Sequence, residues 1–466
     1  MPLQKNQVLT LRVERLSSDG SGVAHSPDGE TVFIPGAAPG DEARVRIVKD
    51  CKRYAFGILD EVLTPSPDRI PVDCAVAGPC GGCSLRHLDY AAELRAKQEN
   101  VADAFARIGG LDVPVLPIVG SPEVNRYRNK VQFPVGVDKS GKPCIGFYAG
   151  RTHRIVPCPD CRLQPGVLNE IGNALCAFFA EKGIQPYSEE TGRGLVRHIF
   201  LRRGAHSGQI MVCLVCTRAK LPSAEELCTR LKAQFAEITT ILLNVNAKNT
   251  NVILGTETHT LYGPGYIEDT LCGVPVQLGP LSFYQVNTLA AEQLYGIAAQ
   301  YAQLTPDDLL LDLYCGMGTI GLSMAAHCRE LIGVEIVPEA IESAKANAAR
   351  MGADVAAKSR FFCADAGQAA TRLAAEGLHP DIVMLDPPRK GCDEATLSAV
   401  VRMSPRRVVY VSCNPATAAR DAAWLEQNGY HAEKVQPVDL FPRTRHCECA
   451  VSYTHLRAHE TTLHLV

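Results

Sequence analysis

The amino-acid sequence predicts a mixed α/β chain with an N-terminal β-barrel of the OB type, a central α+β region and a C-terminal doubly wound α/β domain. Between residues 1 and 62, short runs of β-branched and aromatic residues are separated by turns that contain Gly and Pro, as in small barrels. From about residue 275, short apolar strands alternate with alanine-rich helical stretches, which indicates a parallel sheet covered by helices. A length of 466 residues fits roughly three domains.

The composition is that of an ordinary globular protein, with 46% hydrophobic and 21% charged residues. No apolar run approaches the roughly 18 residues of a membrane span, and the first residues lack the apolar core of a secretory signal. We therefore expect a cytoplasmic protein that is not embedded in a membrane. Nineteen cysteines in a chain of this length favour reduced thiols, a few of them metal-bound or catalytic, over a disulfide framework. The net charge of −3 excludes a global basic field.

Four strands are predicted in the N-terminal barrel, over Val8–Leu16, Thr31–Ile34, Ala43–Val48 and Tyr54–Val62. The stretch Thr64-Pro65-Ser66-Pro67 has the composition of a linker. Through residue 69 the chain carries nine Lys/Arg and ten Asp/Glu, so any basic face on the barrel must be local.

The central region, residues 70–272, combines a predicted helix over Tyr90–Arg107 with predicted paired strands over Val196–Leu201 and Gln209–Val215. Basic residues are concentrated here, because residues 121–162 contain eight Lys/Arg and three Asp/Glu. Such a cluster is either a solvated face or a local site for an acidic partner.

The C-terminal domain, residues 275–452, has four predicted strands, over Leu309–Tyr314, Leu331–Glu335, Ile382–Leu385 and Val408–Ser412. The first strand ends in a glycine-rich turn over residues 312–321, whose glycines let the backbone approach a ligand closely. Glu335 closes the second strand, where a carboxylate can accept hydrogen bonds from both ribose hydroxyls of a nucleotide. These features alone leave an NAD-dependent enzyme open.

Two further strand ends carry polar groups to the same edge of the sheet, in Asp386-Pro387-Pro388-Arg389 and Ser412-Cys413-Asn414-Pro415. Together with residues 283–287 (Phe-Tyr-Gln-Val-Asn) and 445–448 (Arg-His-Cys-Glu), they resemble the motifs of the RNA 5-methyluridine methyltransferase family. The resemblance extends over residues 1–452 and is strongest to the bacterial 23S rRNA enzymes with a TRAM barrel and an iron–sulfur cluster. It implies a Rossmann-like class I methyltransferase domain at the C-terminal end.

The resemblance implies that S-adenosylmethionine lies over the glycine-rich turn. By matching motifs, its site would be lined by Gln285, Tyr314, Thr319, Glu335, Asp365 and Asp386. Thr319 stands where many relatives have Asn, and Asp365 could instead cap the helix that begins at Ala366.

The same resemblance assigns Cys413 as a nucleophile and Glu448 as a base. Carbon 5 of uracil is a poor nucleophile until a thiolate adds to carbon 6, and a base must later remove the proton from carbon 5 before the thiolate leaves. Cys447 and Cys449 are interpreted as packing residues. An amino-methyltransferase is disfavoured, because Arg389 stands where those enzymes typically carry an aromatic residue.

Four cysteines form a candidate metal centre: Cys74, Cys80, Cys83 and the distant Cys161. Four thiolates suit zinc or an iron–sulfur cluster, and their spacing does not choose between the two. The resemblance implies a [4Fe–4S] cluster of structural role, with Cys158 as a competitor of Cys161 for the fourth position.

The implied partner is RNA, with a uridine of 23S rRNA as the expected target and tRNA as the alternative. A second alternative is a non-catalytic iron–sulfur protein that binds RNA. The target base must be unpaired or flipped out. Residues 126–130 and 197–203 are the predicted phosphate contacts, and we expect a monomer. Residues 453–466 match nothing expected after the last motif and are interpreted as a tail of doubtful origin, which leaves the last strand in doubt.

Overall fold

The computed structural model of the protein describes residues 3–150, 152–248 and 250–456. Its first five strands form a closed barrel in the order β1-β2-β3-β5-β4. Their bounds are β1 (Val8–Leu16), β2 (Ser21–His25), β3 (Thr31–Pro35), β4 (Glu42–Asp50) and β5 (Tyr54–Thr64). Alternate side chains such as Val32, Ile34 and Ala55 fill the interior, so the residues between them face outward. The predicted OB-type barrel is confirmed, with β2 as a strand that the sequence analysis did not find.

The central region is built on a seven-stranded sheet in the order β12-β11-β10-β9-β6-β7-β8. Its strands are β6 (Lys130–Val137), β7 (Pro143–Tyr148), β8 (Ile155–Pro157), β9 (Val196–Arg203), β10 (Ile210–Cys216), β11 (Ile238–Val245) and β12 (Glu257–Tyr262). Its helices are α1 (Ala77–Cys80), α2 (Tyr90–Asp103), α3 (Gly166–Glu181) and α4 (Ala224–Gln234), and α2 continues into a π-helix over Ala104–Gly109. A hairpin of β13 (Ile267–Leu271) and β14 (Val274–Leu278) leads to the next domain.

The C-terminal domain has a second seven-stranded sheet, in the order β17-β16-β15-β18-β19-β21-β20. Its strands are β15 (Leu309–Leu313), β16 (Glu330–Glu335), β17 (Ser359–Cys363), β18 (Ile382–Leu385), β19 (Arg407–Ser412), β20 (Tyr430–Val438) and β21 (Glu448–His455). Its helices are α5 (Thr288–Ala302), α6 (Thr319–Met324), α7 (Pro338–Met351), α8 (Ala353–Lys358), α9 (Ala366–Ala375), α10 (Glu394–Met403) and α11 (Pro415–Gln427). Neighbouring strand residues such as Leu310 and Leu311 belong to separate apolar clusters, because successive side chains point to opposite faces of a sheet with helices on both sides.

Strand direction in this sheet determines which side chains share an edge. Strands β15 to β19 pair in parallel, so the turns after them lie at one edge. Strand β21 runs antiparallel to β19, with Ser412 opposite Cys449. The first residue of β21, Glu448, therefore lies at the same edge as the residue that follows β19, Cys413.

The last strand is present and lies inside the sheet, between β19 and β20. It extends through the fully buried Tyr453 to His455, which is beyond the predicted end of the domain at residue 452. Residues 457–466 of the predicted tail lie outside the described residues. In the described ranges, no helix has both the length and the apolar character that crossing a bilayer requires.

Candidate active site

The glycine-rich turn between β15 and α6 is held in a conformation that few residues adopt. Tyr314, Gly316 and Gly318 all have positive φ angles, of 66°, 56° and 80°. At Gly318 a side chain would also be crowded, because a Cβ atom would lie 3.2 Å from the Cβ of Ala344. The turn therefore presents backbone to the sheet edge, as a nucleotide-like ligand requires.

Glu335 binds this turn from the neighbouring strand. Its Oε2 accepts a hydrogen bond from the backbone N–H of Gly316 at 3.1 Å, and its Oε1 accepts from Ile336 at 2.9 Å and Val337 at 3.0 Å. A carboxylate has about four lone-pair sites, so the three N–H groups leave one for a further donor. The residue lies where the sequence predicts it and has an additional role in shaping the turn.

Asp312 is a site residue that the sequence analysis did not assign. It is 1% exposed in β15, its Oδ2 accepts from Gly321 N–H at 3.0 Å, and its Oδ1 has no hydrogen-bond partner among the described residues. Burial raises the pKa of Asp312 to about 8, and the neighbouring carboxylates Asp386 and Glu335 add to the rise. The available signal was a single acid in a strand otherwise made of leucines.

Tyr295 on α5 brings two predicted cofactor residues together. It is 4% exposed and burial raises the pKa of its hydroxyl, a rise that the neighbouring side chains of Gln285 and Thr319 oppose. The backbone carbonyl of Gln285 accepts from Asn129 Nδ2 at 2.7 Å, which connects the central region to this loop. The structure thus places Gln285 and Thr319 side by side, with Tyr295 as a neighbour that the sequence analysis missed.

Two other predicted residues have structural partners. The hydroxyl of Tyr314 lies 3.4 Å from Oγ1 of Thr396. Asp365 caps α9, where its side chain accepts from Gln368 N–H at 3.1 Å. The helix-cap interpretation of Asp365 is therefore confirmed, and its contact with a cofactor stays a prediction.

Cys413 and Glu448 lie together at the sheet edge. Cys413 is half-buried after β19, and Glu448 is 5% exposed at the start of β21. Burial raises the pKa of the Cys413 thiol to about 11; Glu448 and Asp386 add to the rise and Arg389 opposes it. Burial also raises the pKa of Glu448 to about 8, again with Asp386 adding and Arg389 opposing. For Asp386, burial raises the pKa to about 7.

The loop after β18, which contains Arg389, and the turn after β19, which contains Cys413, are joined by hydrogen bonds. The backbone carbonyl of Arg389 accepts from Asn414 Nδ2 at 3.0 Å and from Thr417 Oγ1 at 3.3 Å. Asn414 also caps α11, by accepting from Ala416 N–H at 3.2 Å. These contacts fix the Arg389 loop against the turn that carries Cys413.

A buried ionic network anchors the segment that leads to Glu448. Nζ of Lys97, on α2, lies 2.7 Å from Glu93 Oε1 and 2.8 Å from Asp439 Oδ1, and all three side chains are at most 1% exposed. The backbone N–H of Arg443 donates to Glu93 at 2.7 Å. The central region therefore holds residues 439–448 in place by charge-assisted hydrogen bonds.

A cavity of about 570 Å³ opens onto Cys413. It lies between the barrel, α2 with its π-helix, and the loops that carry Arg389, Cys413 and Arg445. Four arginines from these three parts of the chain line it: Arg15, Arg107, Arg389 and Arg445. Asp103 pairs with Arg15 at 3.3 Å and with Arg107 at 3.4 Å, at exposed positions. A thiol at a cavity rimmed by arginines fits an anionic, polymeric substrate.

Two of the predicted phosphate contacts in the central sheet, Arg197 and Arg202, are wrong because their side chains are internal. The other cations of these runs are half-buried and their contacts with RNA stay a prediction: Arg126, Arg128, Lys130 and Arg203. Arg197 is 5% exposed and donates to the carbonyls of Asn246 and Lys248, at 3.1 and 2.6 Å. Arg202 is 1% exposed and donates to the carbonyls of Gly279 and Ser282, at 2.9 and 2.7 Å. In the run 126–130, Tyr127 and Asn129 are buried and Arg126 pairs with Asp160 at 2.7 Å. Strand β9 lies inside its sheet, so Arg197 and Arg202 satisfy backbone carbonyls.

The predicted metal-binding cysteines lie in one neighbourhood. The pKa of the Cys80 thiol is raised by burial, with a smaller electrostatic effect of Cys161 and Cys74, and that of Cys83 by burial, with smaller effects of Cys161 and Cys80. Cys158 is a further neighbour, which lowers the pKa of the Cys161 thiol. Across the described residues, no three His, Cys, Asp or Glu side chains are arranged to hold a single metal ion. The donor set itself suits a cluster of several irons, which would occupy the space between the thiols.

Known proteins are similar to this chain over nearly its full length. The family model for tRNA (uracil-5-)-methyltransferase matches residues 206–456, and the TRAM domain model matches residues 2–59. An RNA methyltransferase of Halalkalibacterium halodurans is 43% identical over 96% of this chain and 97% of its own. Another, of Listeria monocytogenes, is 42% identical over 97% of this chain and 99% of its own.

One solved structure matches the whole architecture. The crystal structure of Pyrococcus abyssi tRNA (uracil-54, C5)-methyltransferase in complex with S-adenosyl-L-homocysteine has a TM-score of 0.76 and 26% identity, and the match covers 96% of this chain and 100% of that one. The chain therefore belongs to the tRNA (uracil-5-)-methyltransferase family, as an RNA (uracil-C5)-methyltransferase with an N-terminal TRAM domain.

Proposed function

We propose that this enzyme methylates carbon 5 of a uridine in 23S rRNA, with Cys413 as the nucleophile and Glu448 as the base. The observation that carries the proposal is the register of β19 and β21, which places the two side chains at one edge beside a cavity rimmed by arginines. A thiol and a carboxyl group so placed can act on adjacent carbons of one ring.

The glycine-rich turn and its surroundings fit S-adenosylmethionine as the cofactor. Asp312 has a buried oxygen with no hydrogen-bond partner in the described part of the chain, and Glu335 keeps one acceptor site for a ribose hydroxyl. The other residues proposed to hold the cofactor are Gln285, Tyr314, Thr319, Asp365 and Asp386. Bound there, S-adenosylmethionine would supply an electrophilic methyl group, and the structural relative crystallised with S-adenosyl-L-homocysteine supports this site.

In the first half of the reaction, the Cys413 thiolate forms a bond to carbon 6, and the electron pair of the double bond moves to carbon 5. Carbon 5 would then take the methyl group, with the electrons of the broken S–C bond staying on the sulfur of S-adenosyl-L-homocysteine. Arg389 opposes the rise in the thiol pKa and so favours the thiolate. In the second half, Glu448 removes the proton from carbon 5. Those electrons restore the ring double bond and the thiolate leaves. A carboxylate with a pKa of about 8 is a stronger base than an ordinary one.

The first test compares two single variants on the same RNA. Cys413→Ala should form no covalent RNA complex and no product, because attack at carbon 6 does not occur. Glu448→Gln should complete attack and methyl transfer but not elimination, since only the last step needs the base. It should therefore accumulate a protein–RNA adduct that survives denaturing electrophoresis and carries label from the methyl group of the cofactor.

Normal turnover of Glu448→Gln would contradict the role of Glu448 as the base. If Glu448→Gln folds and binds RNA but forms no adduct, Glu448 acts at a step before methyl transfer. If the wild-type protein incorporates no label into bulk rRNA or tRNA, the chain is instead a non-catalytic RNA-binding protein.

The choice between rRNA and tRNA as the substrate is a separate and more specific part of the proposal. The P. abyssi relative has the full architecture and is named a tRNA enzyme, so a barrel does not by itself select rRNA and tRNA is the second candidate. Mapping of 5-methyluridine in RNA from a deletion strain separates the two. A lost methyl group in 23S rRNA supports the proposal, and a loss confined to tRNA overturns this part of it.

We also propose that Cys74, Cys80, Cys83 and Cys161 hold a [4Fe–4S] cluster of structural role. Their common neighbourhood and half-buried positions support this assignment. Arg126 holds the backbone near Cys161, where it donates to the carbonyl of that residue at 2.8 Å. The cluster would thereby brace the loops that carry these cysteines.

A further inference from the structure

An aromatic patch covers part of the outer surface of the barrel. The rings of Phe33, Tyr54 and Phe56 contact one another, with centroids 5.7, 5.9 and 5.6 Å apart. Tyr54 is 40% exposed and the two phenylalanines are partly exposed. These side chains alternate with the core residues Val32 and Ala55, so they face away from the barrel interior. The core does not require them.

Strand register connects this patch to the catalytic cavity. Arg15 lies opposite Val23, Val23 opposite Phe33, and Phe33 opposite Phe56, which forms one row across β1, β2, β3 and β5. Val23 itself is 3% exposed, so a strand of RNA would contact the larger side chains on either side of it. Arg15 lines the cavity that opens onto Cys413. Neighbouring strands are about 4.8 Å apart, so Phe33 lies about 10 Å and Phe56 about 15 Å from Arg15 along the barrel surface.

Positive charge lies beside the aromatic rings. Lys52 and Arg53 are exposed in the turn between β4 and β5, directly before Tyr54. On the side of the cavity, residues 17–19 of the turn between β1 and β2 belong to its lining. This second turn, Ser17-Ser18-Asp19, carries no cation, so the basic side of the patch is the turn with Lys52 and Arg53. Aromatic rings beside a basic loop are the arrangement with which barrels of the OB type bind single strands of nucleic acid.

We propose that Phe33, Tyr54 and Phe56 form a stacking surface for unpaired RNA nucleotides next to the target uridine, and that Lys52 and Arg53 bind the phosphates of that strand. This inference rests on the proposed function, because it takes the cavity as the uridine site. The length of the row is sufficient for a few nucleotides beyond the one inside the cavity. The barrel thereby selects uridines that lie in a single-stranded segment.

The test measures the affinity of the full-length enzyme for a fluorescein-labelled oligouridylate of about 12 nucleotides, by fluorescence anisotropy at several salt concentrations. Tyr54→Leu and Phe56→Leu keep apolar bulk and lose the aromatic face, so each should raise Kd about 5- to 100-fold. Lys52→Gln and Arg53→Gln should each reduce the slope of log K against log salt by about 0.7, whereas the leucine variants should not change it.

Ile58→Ala is the matched control, since Ile58 is 48% exposed on the same strand and lies outside the ring contacts. It should leave both Kd and the salt slope unchanged. Thermal melting confirms that each variant is folded, and the glutamine variants test the proposal independently because their side chains lie in an exposed turn. Aromatic variants that bind oligouridylate like the wild type overturn the proposal, and so does an unchanged salt slope in both glutamine variants.

Methyl transfer is measured in a separate assay, so that failure of the proposed function and failure of the stacking surface give different results. If no RNA is methylated but the aromatic variants lose oligouridylate binding, the proposed function fails and the stacking surface stands. If the enzyme methylates RNA and all barrel variants bind oligouridylate normally, the surface alone is wrong.

Discussion

At the scale of single residues, Asp312 couples the cofactor site to pH. It lies below the glycine-rich turn, and burial raises its pKa from 3.8 to about 8. Between these values the folded protein holds a proton that the unfolded chain releases, so this carboxyl group lowers the free energy of unfolding as pH rises. The stability that its protonated form contributes is complete below about pH 4 and is lost as pH passes 8.

We therefore predict that Asp312→Asn stabilises the protein at alkaline pH only. The amide keeps an oxygen that can accept from Gly321 N–H and has no ionisable group. Melting temperatures of the variant and the wild type should be similar near pH 4, and the variant should melt higher near pH 9. Glu448 stays in both proteins and is not among the groups that shift the Asp312 pKa, so its own titration affects both proteins alike. A difference that does not depend on pH would show that the Asp312 pKa is not raised.

At the scale of elements, the contact between α2 and the segment before β21 depends on buried charge. Lys97 neutralises Glu93 and Asp439, which lies 342 residues further along the chain. Breaking a buried ion pair by removing one partner leaves an uncompensated charge, at a cost of about 3–5 kcal/mol. Lys97→Met should therefore lower the free energy of unfolding in urea by about that amount.

Arg95→Met is the control on the same helix. Arg95 pairs with Asp68 at 2.8 Å but is 57% exposed, so its loss should cost about 0–1 kcal/mol. Combining Lys97→Met with Glu93→Gln and Asp439→Asn should restore only part of the stability, because neither carboxylate is then left without its cation but the buried Arg443 loses its ion pair with Glu93. Equal losses for Lys97→Met and Arg95→Met would contradict the role assigned to the network.

At the scale of the whole molecule, the proposed cluster should be visible in the purified protein. Anaerobic preparations should be brown and contain iron and acid-labile sulfide in equal amounts, about four of each per chain. Cys161→Ser should lose the colour and Cys158→Ser should keep it. Colourless protein with one zinc per chain would contradict the cluster. If Cys158→Ser loses the colour and Cys161→Ser keeps it, the fourth ligand is Cys158 and not Cys161.

The sequence predicts a feature of this molecule correctly when the feature depends on residues that are neighbours in the chain. Strands β1 and β18 have their predicted bounds, because their apolar residues sit in regular patterns between clear turns. The sequence also predicted that the polar ends of the C-terminal strands meet at one edge of the sheet, because those strands were expected to pair in parallel. Strand β2 was missed because Ser21 and Gly22 weaken a short strand. Arg197 and Arg202 were misjudged, since whether a charged strand residue is covered depends on elements far away in the chain.

Strand β21 enters the sheet between β19 and β20, although it is the last of the three to be synthesised. A chain still attached to the ribosome holds both neighbouring strands before the strand that pairs them has emerged. Cys413 is then present without Glu448, and two strand edges remain open to other chains. The newly made protein thus brings Cys413 and Glu448 together and closes both strand edges in one step, when β21 has emerged and paired.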